Sequence, residues 1–306
     1  MKQDNVPSFI IKKHPKADIK FIGSGSDSDA YKIGNHIIRI PHANSTELYL
    51  REAAICSAIS QDISFQIPNI SVHKEKDGTL WAEHEMIMGE KWSWHKYMCH
   101  PKRMHNLGRS LARFMAELHS VDTRKIPAKH RKSVPYMPFN TVAPFLAKFL
   151  SDHQMQFFKK HYEKILAYPV KKSDMVLVHL GIKGPNSVAD KDGNLVGVFD
   201  FCNAGIYERE RDMVLIAIMA PNSLWRIFAR EYKQLTGIKP NKKRIIDLAK
   251  IEFLWAKRWI RGDGQIQPAG DRFMLKNIGA AMAHFHHLPY QFKWLWYYAI
   301  KLKRHI

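Results

Sequence analysis

The segment 175–201 constrains the fold of this 306-residue chain more than any other stretch. Residues 175–178 are all apolar and are typical of a short buried strand, which delivers His179 to the start of a loop. Further on, residues 187–189 and 195–199 flank a polar turn that contains Asp-Gly, a pattern that predicts a β-hairpin. The ordered set of strand, histidine, loop and hairpin is more specific than any one of these features.

Two oxygen-bearing side chains stand at the ends of the predicted hairpin. Asn186 precedes its first strand and Asp200 follows its second. Because a hairpin brings its two ends together, we expect these side chains side by side. Amide and carboxylate oxygens are ligands of the kind that Mg²⁺ prefers, so the sequence predicts a magnesium site here. Lys183, in the loop before the hairpin, is placed to reach a phosphate group.

This pattern resembles the catalytic and metal loops of the aminoglycoside phosphotransferase and choline kinase family, a branch of the protein-kinase-like fold. Kinase-like phosphotransferases carry His-x-Asp-x-x-x-x-Asn, then a hairpin, then an Asp that holds magnesium. His179, Asn186 and Asp200 match that pattern, whereas Gly181 occupies the position of the catalytic Asp. The resemblance therefore implies catalytic-loop roles for His179 and Lys183 in a site that lacks its base at Gly181.

The N-terminal part of the chain is also similar to the family. Ser24, Gly25 and Ser26 resemble the small-residue turn whose backbone N–H groups cover the phosphates. Arg39 stands in the pattern hydrophobic-hydrophobic-Arg-hydrophobic-Pro, where the resemblance implies a cation that lies along the nucleotide phosphates. Glu52 occupies the position of the acid that pairs with this cation and fixes its direction.

Three further positions complete the resemblance. Glu85 and Ile87 fall in the segment that resembles the hinge between lobes, whose backbone hydrogen-bonds the adenine. Asp212 resembles the Asp that holds the catalytic loop in place, which implies a structural role. The dipeptide Cys202-Asn203 departs from the more usual Gly-Asp after the metal-binding Asp, a change that we expect the site to tolerate.

The matches run in the family's order from about residue 20 to about residue 220. They imply an α+β, bilobal protein-kinase-like fold. We expect a small β-rich N-lobe at 1–88 and a larger, mostly helical C-lobe at 89–306, which also carries the acceptor region. The implied cofactors are ATP or GTP and Mg²⁺, and the implied reaction transfers the γ-phosphate to a small-molecule hydroxyl.

The charge of the chain bears on its partners. The formal net charge is +20 and the sequence pI is about 9.8. Such a protein repels a polycation such as an aminoglycoside at long range, so a neutral or anionic acceptor is favoured. Nucleic acid or an anionic membrane surface also suits this charge, and so does a solvated surface without a partner.

The cysteines and the apolar stretches of the sequence bear on where in the cell the protein is found. The cysteines are few and scattered, which favours reduced thiols in a cytoplasmic protein: Cys56, Cys99 and Cys202. The chain has no apolar signal region at its N-terminus and no stretch near the ~20 apolar residues of a membrane span.

The C-terminal region is basic and aromatic. Residues 242–260 have apolar positions at helical spacing and predict a helix of the C-lobe. The tail 291–304 combines aromatic rings with Lys and Arg, which suits peripheral association with a membrane interface. We favour the other interpretation, a helix docked on its own domain. A histidine cluster nearby is interpreted as local polar chemistry: His284, His286 and His287.

Three functional hypotheses remain open. In the first, the chain binds Mg-nucleotide while transfer is weak or lost. In the second, the chain is an active enzyme that recruits another carboxylate or needs no base. Asp190 and Asp192 are poor candidates for that carboxylate because they lie at the far end of the hairpin. Alternatively, Gly181 marks an inactive variant of an otherwise active enzyme. In the third, the chain is a pseudokinase scaffold for an anionic partner or membrane surface, and replacing Asp200 leaves that binding intact.

Overall fold

The structure, a computed structural model, describes residues 6–25, 28–42, 46–131, 138–147, 151–249 and 251. The strands are β1 (Ile19–Ser24), β2 (Ser28–Ile33), β3 (His36–Pro41), β4 (Ser71–Lys74), β5 (Leu80–Glu85), β6 (Met175–Val178), β7 (Ser187–Ala189), β8 (Leu195–Val198) and β9 (Gly205–Glu208). The helices are α1 (Ser8–Lys13), α2 (Thr46–Ile59), α3 (Trp94–Met98), α4 (Pro101–Ser120), α5 (Phe139–Leu146), α6 (Asp152–Leu166), α7 (Arg209–Met219) and α8 (Asn222–Thr236).

The N-lobe is a five-stranded antiparallel sheet in the order β1-β2-β3-β5-β4. On one face, Ile10 of α1 joins Ile38 and Trp81 in a small apolar cluster. Side chains alternate along a strand, so Arg39, next to Ile38, points to the opposite face. There it meets Glu52 of α2. The sheet therefore presents a cation to its inner face while α1 covers the outer one.

The C-lobe is built around α4. Its core positions recur at helical spacing along the sequence, and all are fully buried: Leu107, Leu111, Phe114, Met115 and Leu118. Helix α8 packs against α4 at Gly108, where an added Cβ would lie 3.0 Å from Ile227 Cγ2. The smaller residue allows the two helices to approach closely.

Two short antiparallel sheets, β6-β9 and β7-β8, place the loops of the C-lobe. The chain after β5 lies against the β7–β8 hairpin, because Glu90 and Ala189 exchange backbone hydrogen bonds of 2.7 and 3.0 Å. Gln66 pairs with the other hairpin strand at Gly197. The expected α+β, bilobal architecture is confirmed, and the lobe boundary at residue 88 stays a prediction.

Some predicted features lie outside the described residues. The predicted helix 242–260 is helical at 242–249. Beyond residue 251 it lies outside the described residues, as do the tail 291–304, the three-histidine cluster and, in the first hairpin, Ser26. Within the described ranges, no helix is long and apolar enough to cross a bilayer.

Candidate active site

Arg39 and Glu52 form a buried ion pair between β3 and α2. Arg39 donates from Nη1 to the two Glu52 carboxylate oxygens at 2.8 and 3.1 Å. The Arg39 side chain is 14% exposed and that of Glu52 is 0% exposed. Burial by itself lowers the pKa of Arg39, but the neighbouring acidic groups, with Glu52 the largest contributor, together outweigh it and the pKa rises. The guanidinium therefore stays charged, and Tyr49 supports it with a ring centroid 4.6 Å away.

The same carboxylate also receives donors from the chain that follows Asp200. The Phe201 backbone N–H donates to Glu52 Oε1 at 2.9 Å, and the Cys202 thiol donates to Oε2 at 3.0 Å. Burial raises the pKa of Cys202 well above its ordinary value, so the thiol keeps its proton. The loop after β8 is thus attached to the ion pair of the N-lobe.

Asp200 lies beside this pair in a left-handed backbone conformation, with φ 71°. Its Oδ1 is 3.6 Å from Arg39 Nη2, and its side chain is 36% exposed. Potential metal-ligating atoms of Glu52, Asp200 and Cys202 lie within 4.8 Å of one another. Glu52 and Cys202 are already engaged with each other and with Arg39, so Asp200 is the member of this group that fits a divalent ion.

Asn186 is held next to Asp200 by the hairpin. The Phe199 N–H donates to the Asn186 carbonyl at 3.0 Å, which extends the β7–β8 ladder by one pair. The side-chain Nδ2 of Asn186 donates to the Gly181 carbonyl at 3.0 Å. This bond orients the amide and leaves its Oδ1 as the atom that fits a metal ion.

His179 links two segments that match loops of the family: residues 179–186, called the catalytic loop, and residues 199–203, called the metal loop. Its Nδ1 accepts the Gly181 N–H at 3.0 Å, so its other nitrogen, Nε2, carries the proton and donates to the Phe199 carbonyl at 3.2 Å. Burial lowers the pKa of His179, which keeps the ring neutral. Both ring nitrogens serve backbone groups, and a part for His179 in the chemistry stays a prediction.

Asp212, on α7, holds the backbone of the catalytic loop. Its carboxylate accepts the N–H groups of His179 at 3.1 Å and of Leu180 at 2.8 Å, and His119 Nε2 lies 3.3 Å away. Burial tends to raise the pKa of Asp212, but the hydrogen bond from His119 and the further interactions with His119 and His179 together lower it overall. These bonds hold Leu180 at φ 62°, a conformation that is uncommon for a residue other than Gly.

A side chain at Gly181 would be in tight contact with its surroundings. A Cβ at this position would lie 3.2 Å from Asn186 Nδ2 and 3.2 Å from His179 Nδ1, so its neighbours would shift by a few tenths of an ångström. The backbone of Gly181 is not in the left-handed region. Lys183 is half-buried, and its carbonyl accepts the Ser187 hydroxyl at 2.9 Å.

Comparison with known proteins shows where the chain belongs. The family described as "Phosphotransferase enzyme family" matches residues 18–254. The chain is a member of this phosphotransferase family. The predicted resemblance to the aminoglycoside phosphotransferase family is therefore confirmed.

Solved structures agree with the predicted fold. The ADP-bound aminoglycoside phosphotransferase APH(2'')-Ib is 19% identical, covers 90% of this chain and 97% of its own, and has a TM-score of 0.65. The ternary complex of streptomycin, ATP and APH(2'')-IIa is 20% identical, with coverage of 82% and 91% and a TM-score of 0.63. The macrolide 2'-phosphotransferase MphH from Brachybacterium faecium is 15% identical, covers 92% of this chain and 98% of its own, and has a TM-score of 0.58. These likenesses confirm the protein-kinase-like fold.

The remaining predicted positions lie in the turn between β1 and β2 and around the end of β5. The Gly25 N–H donates to the Ser28 carbonyl at 2.8 Å and closes the turn that follows the exposed Ser24. In the hinge segment, Glu85 is exposed and Ile87 is half-buried.

Two of the contacts that the sequence did not predict involve side chains close to the predicted site residues. The buried His84 places Nδ1 2.8 Å from the Glu85 carbonyl, and Cys202 binds Glu52. The departure at Cys202-Asn203 was the only signal in the sequence that pointed to the second contact.

Proposed function

We propose that this phosphotransferase family member binds Mg²⁺ with ATP or GTP and transfers, or formerly transferred, the γ-phosphate to a small-molecule hydroxyl. Transfer is weakened or lost because Gly181 stands where the family has a carboxylate. The observation that carries the proposal is the buried Arg39–Glu52 pair with Asp200 Oδ1 3.6 Å from the guanidinium. A fixed cation next to a metal-binding carboxylate is what a nucleotide triphosphate requires.

The nucleotide half of the proposal assigns each group a task. Arg39 binds the phosphates, while Asp200 and the Oδ1 of Asn186 hold Mg²⁺. The ion, when bound, spreads the charge of the transferred phosphoryl group. Structures of similar fold are described with ATP, ADP or GDP bound, which supports a nucleotide ligand here.

The acceptor half is less specific. Similar structures are described with streptomycin, gentamicin or kanamycin, and others are macrolide 2'-phosphotransferases. These are small molecules, and we assign the acceptor to that broad class. The net charge of +20 favours a neutral or anionic acceptor over a polycation.

A second candidate function rests on Gly181 and on the same charge. A pseudokinase scaffold keeps the fold, needs no base, and binds an anionic partner or membrane surface through its basic exterior. For either function we propose a cytoplasmic location, since the cysteines are free among the described residues.

The test restores the missing carboxylate. We expect Gly181→Asp to raise the rate of ADP formation from Mg-ATP by about tenfold or more in the presence of an acceptor, since general-base assistance is worth ~10²–10⁴-fold. Acceptors to screen are simple alcohols, sugars, choline and antibiotics. Gly181→Asn is the matched control, because it has the same size and offers no base.

Two results contradict the proposal. One is a Gly181→Asp rate equal to that of the wild type with Mg-ATP still bound, which means that more than the base is missing. The other is an equal gain in Gly181→Asn, which assigns the effect to packing rather than to proton transfer.

A further inference from the structure

We propose that Cys202 is a positioning residue of the nucleotide site, which locks the loop carrying Asp200 onto the Arg39–Glu52 pair. This inference rests on the proposed function for what the site binds. Cys202 stands where the resemblance leads us to expect Gly, and the proposed role gives this difference a physical reason.

The neighbours of Cys202 in the chain pack in the C-lobe, whereas its thiol lies in the N-lobe. Cys202 follows Asp200 in the chain by two residues, yet its side chain is fully buried and packs with Tyr49 of α2 and Ala82 of β5. A residue of the metal loop is therefore inserted into the N-lobe. Any movement of that loop away from the N-lobe has to expose or repack this side chain.

The thiol also bridges the two charges of the ion pair. Cys202 Sγ donates to Glu52 Oε2 at 3.0 Å and lies 3.5 Å from Arg39 Nη2. Oε2 accepts Arg39 Nη1 at 2.8 Å as well, and Oε1 accepts the Phe201 N–H at 2.9 Å. Each carboxylate oxygen thus has one donor from β3 and one from the metal loop.

Asp200 lies between two attachments. On one side, Phe199 N–H bonds to Asn186 in the hairpin, and on the other, Phe201 and Cys202 bond to Glu52. Removing the thiol donor leaves Oε2 bonded to Arg39 alone. The carboxylate is then held by three hydrogen bonds in place of four, which weakens the fixed direction of Arg39 and Asp200 that phosphate and metal binding require.

Three variants and two readouts test this role. Cys202→Ala removes the hydrogen-bond donor, and Cys202→Ser keeps one. The control is Cys56→Ala, which removes a buried thiol on α2, one helical turn after Glu52. The first readout is the Kd for Mg-ATP. The second is hydrogen exchange at the Phe201 amide in the protein without nucleotide, which reports the attachment to Glu52 directly.

We expect Cys202→Ala to raise the Kd about tenfold and to speed exchange at Phe201, since hydrogen bonds to charged groups are among the stronger ones. Cys202→Ser should stay within about twofold of the wild type in both readouts, and so should Cys56→Ala. The inference is overturned if Cys202→Ala binds Mg-ATP as the wild type does, or if Cys202→Ser is as weak as Cys202→Ala.

Failure of the proposed function gives a different result. If the wild type itself does not bind Mg-ATP, the nucleotide site is refuted and the exchange measurement alone decides the attachment. Faster exchange in Cys202→Ala, restored in Cys202→Ser, supports the lock between loop and ion pair. Unchanged exchange refutes it.

Discussion

At the scale of single residues, one buried carboxylate determines the shape of the catalytic loop. Asp212 is fully buried and accepts two consecutive backbone N–H groups, those of His179 and Leu180. Leu180 is held in a left-handed conformation that costs about 1 kcal/mol or more for a residue with a side chain. The loop therefore keeps its form because these hydrogen bonds outweigh its local preference.

The variant Asp212→Asn tests this directly. An amide has one acceptor oxygen, so its NH₂ group faces one of the two backbone donors, and the charge that His119 stabilises is lost. We expect a fall in the free energy of unfolding of about 2–4 kcal/mol, measured by urea denaturation at neutral pH.

The control is Asp77→Asn, in the exposed β4–β5 turn, where a carboxylate accepts a single backbone N–H from Thr79. A much smaller loss is expected there, because water replaces that bond. Equal losses in the two variants would show that the Asp212 carboxylate stabilises the protein no more than an exposed turn carboxylate does.

At the scale of elements, the tip of the β7–β8 hairpin rests on the start of α4. Gly193 has φ 88°, and a Cβ there would lie 2.7 Å from the Cα of Arg103. Gly78, in the β4–β5 turn, has φ 89° and nothing within 4 Å of an added Cβ. The two glycines have nearly the same φ but very different surroundings.

We therefore expect Gly78→Ala to cost about 1–2 kcal/mol in unfolding free energy, the strain of a left-handed residue alone. Gly193→Ala should cost at least about 1–2 kcal/mol more, because backbone atoms of α4 must move. Urea denaturation of both variants measures the difference. If the two losses are the same, the hairpin tip adjusts without disturbing α4.

The elements that the sequence could predict are the ones with local signals. The apolar run, the Asp-Gly turn and the family pattern were sufficient to place Asn186 next to Asp200, since all of them lie within one stretch of chain. The bond from Cys202 to Glu52 joins residues 150 positions apart. No periodicity reports such a pair, and only the folded lobes bring it together. For Asp212, the resemblance implied a structural role, but only the structure identified the N–H groups that it binds.

At the scale of the whole molecule, buried histidines make stability depend on pH. Burial lowers the pKa of His84 and of His179 below the ordinary value of 6.5. Below about pH 6.5 the unfolded chain therefore binds protons that the folded chain does not, and stability falls as pH falls. Glu210 acts in the opposite sense, because burial raises its pKa.

A comparison of variants isolates the histidine contribution. Urea denaturation at about pH 7.5 and about pH 5.5 gives the loss of stability on acidification, to which each buried neutral histidine adds up to about 1 kcal/mol. We expect this loss to be smaller by about that amount in His84→Gln, since Glu210 is the same in both proteins. An unchanged loss would mean that His84 takes up its proton in the folded protein without penalty.

The central claim is that the chain keeps a working Mg-nucleotide site without its catalytic base. The most direct measurement is the melting temperature with and without Mg-ATP, for the wild type and for Asp200→Asn, which tolerates the left-handed backbone but removes the charge. A ligand at about 100 times its Kd adds about 2.7 kcal/mol to stability, so we predict a clear rise for the wild type. We predict no rise in Asp200→Asn. A wild type that shows no shift at millimolar Mg-ATP would contradict the account and leave the fold as a scaffold.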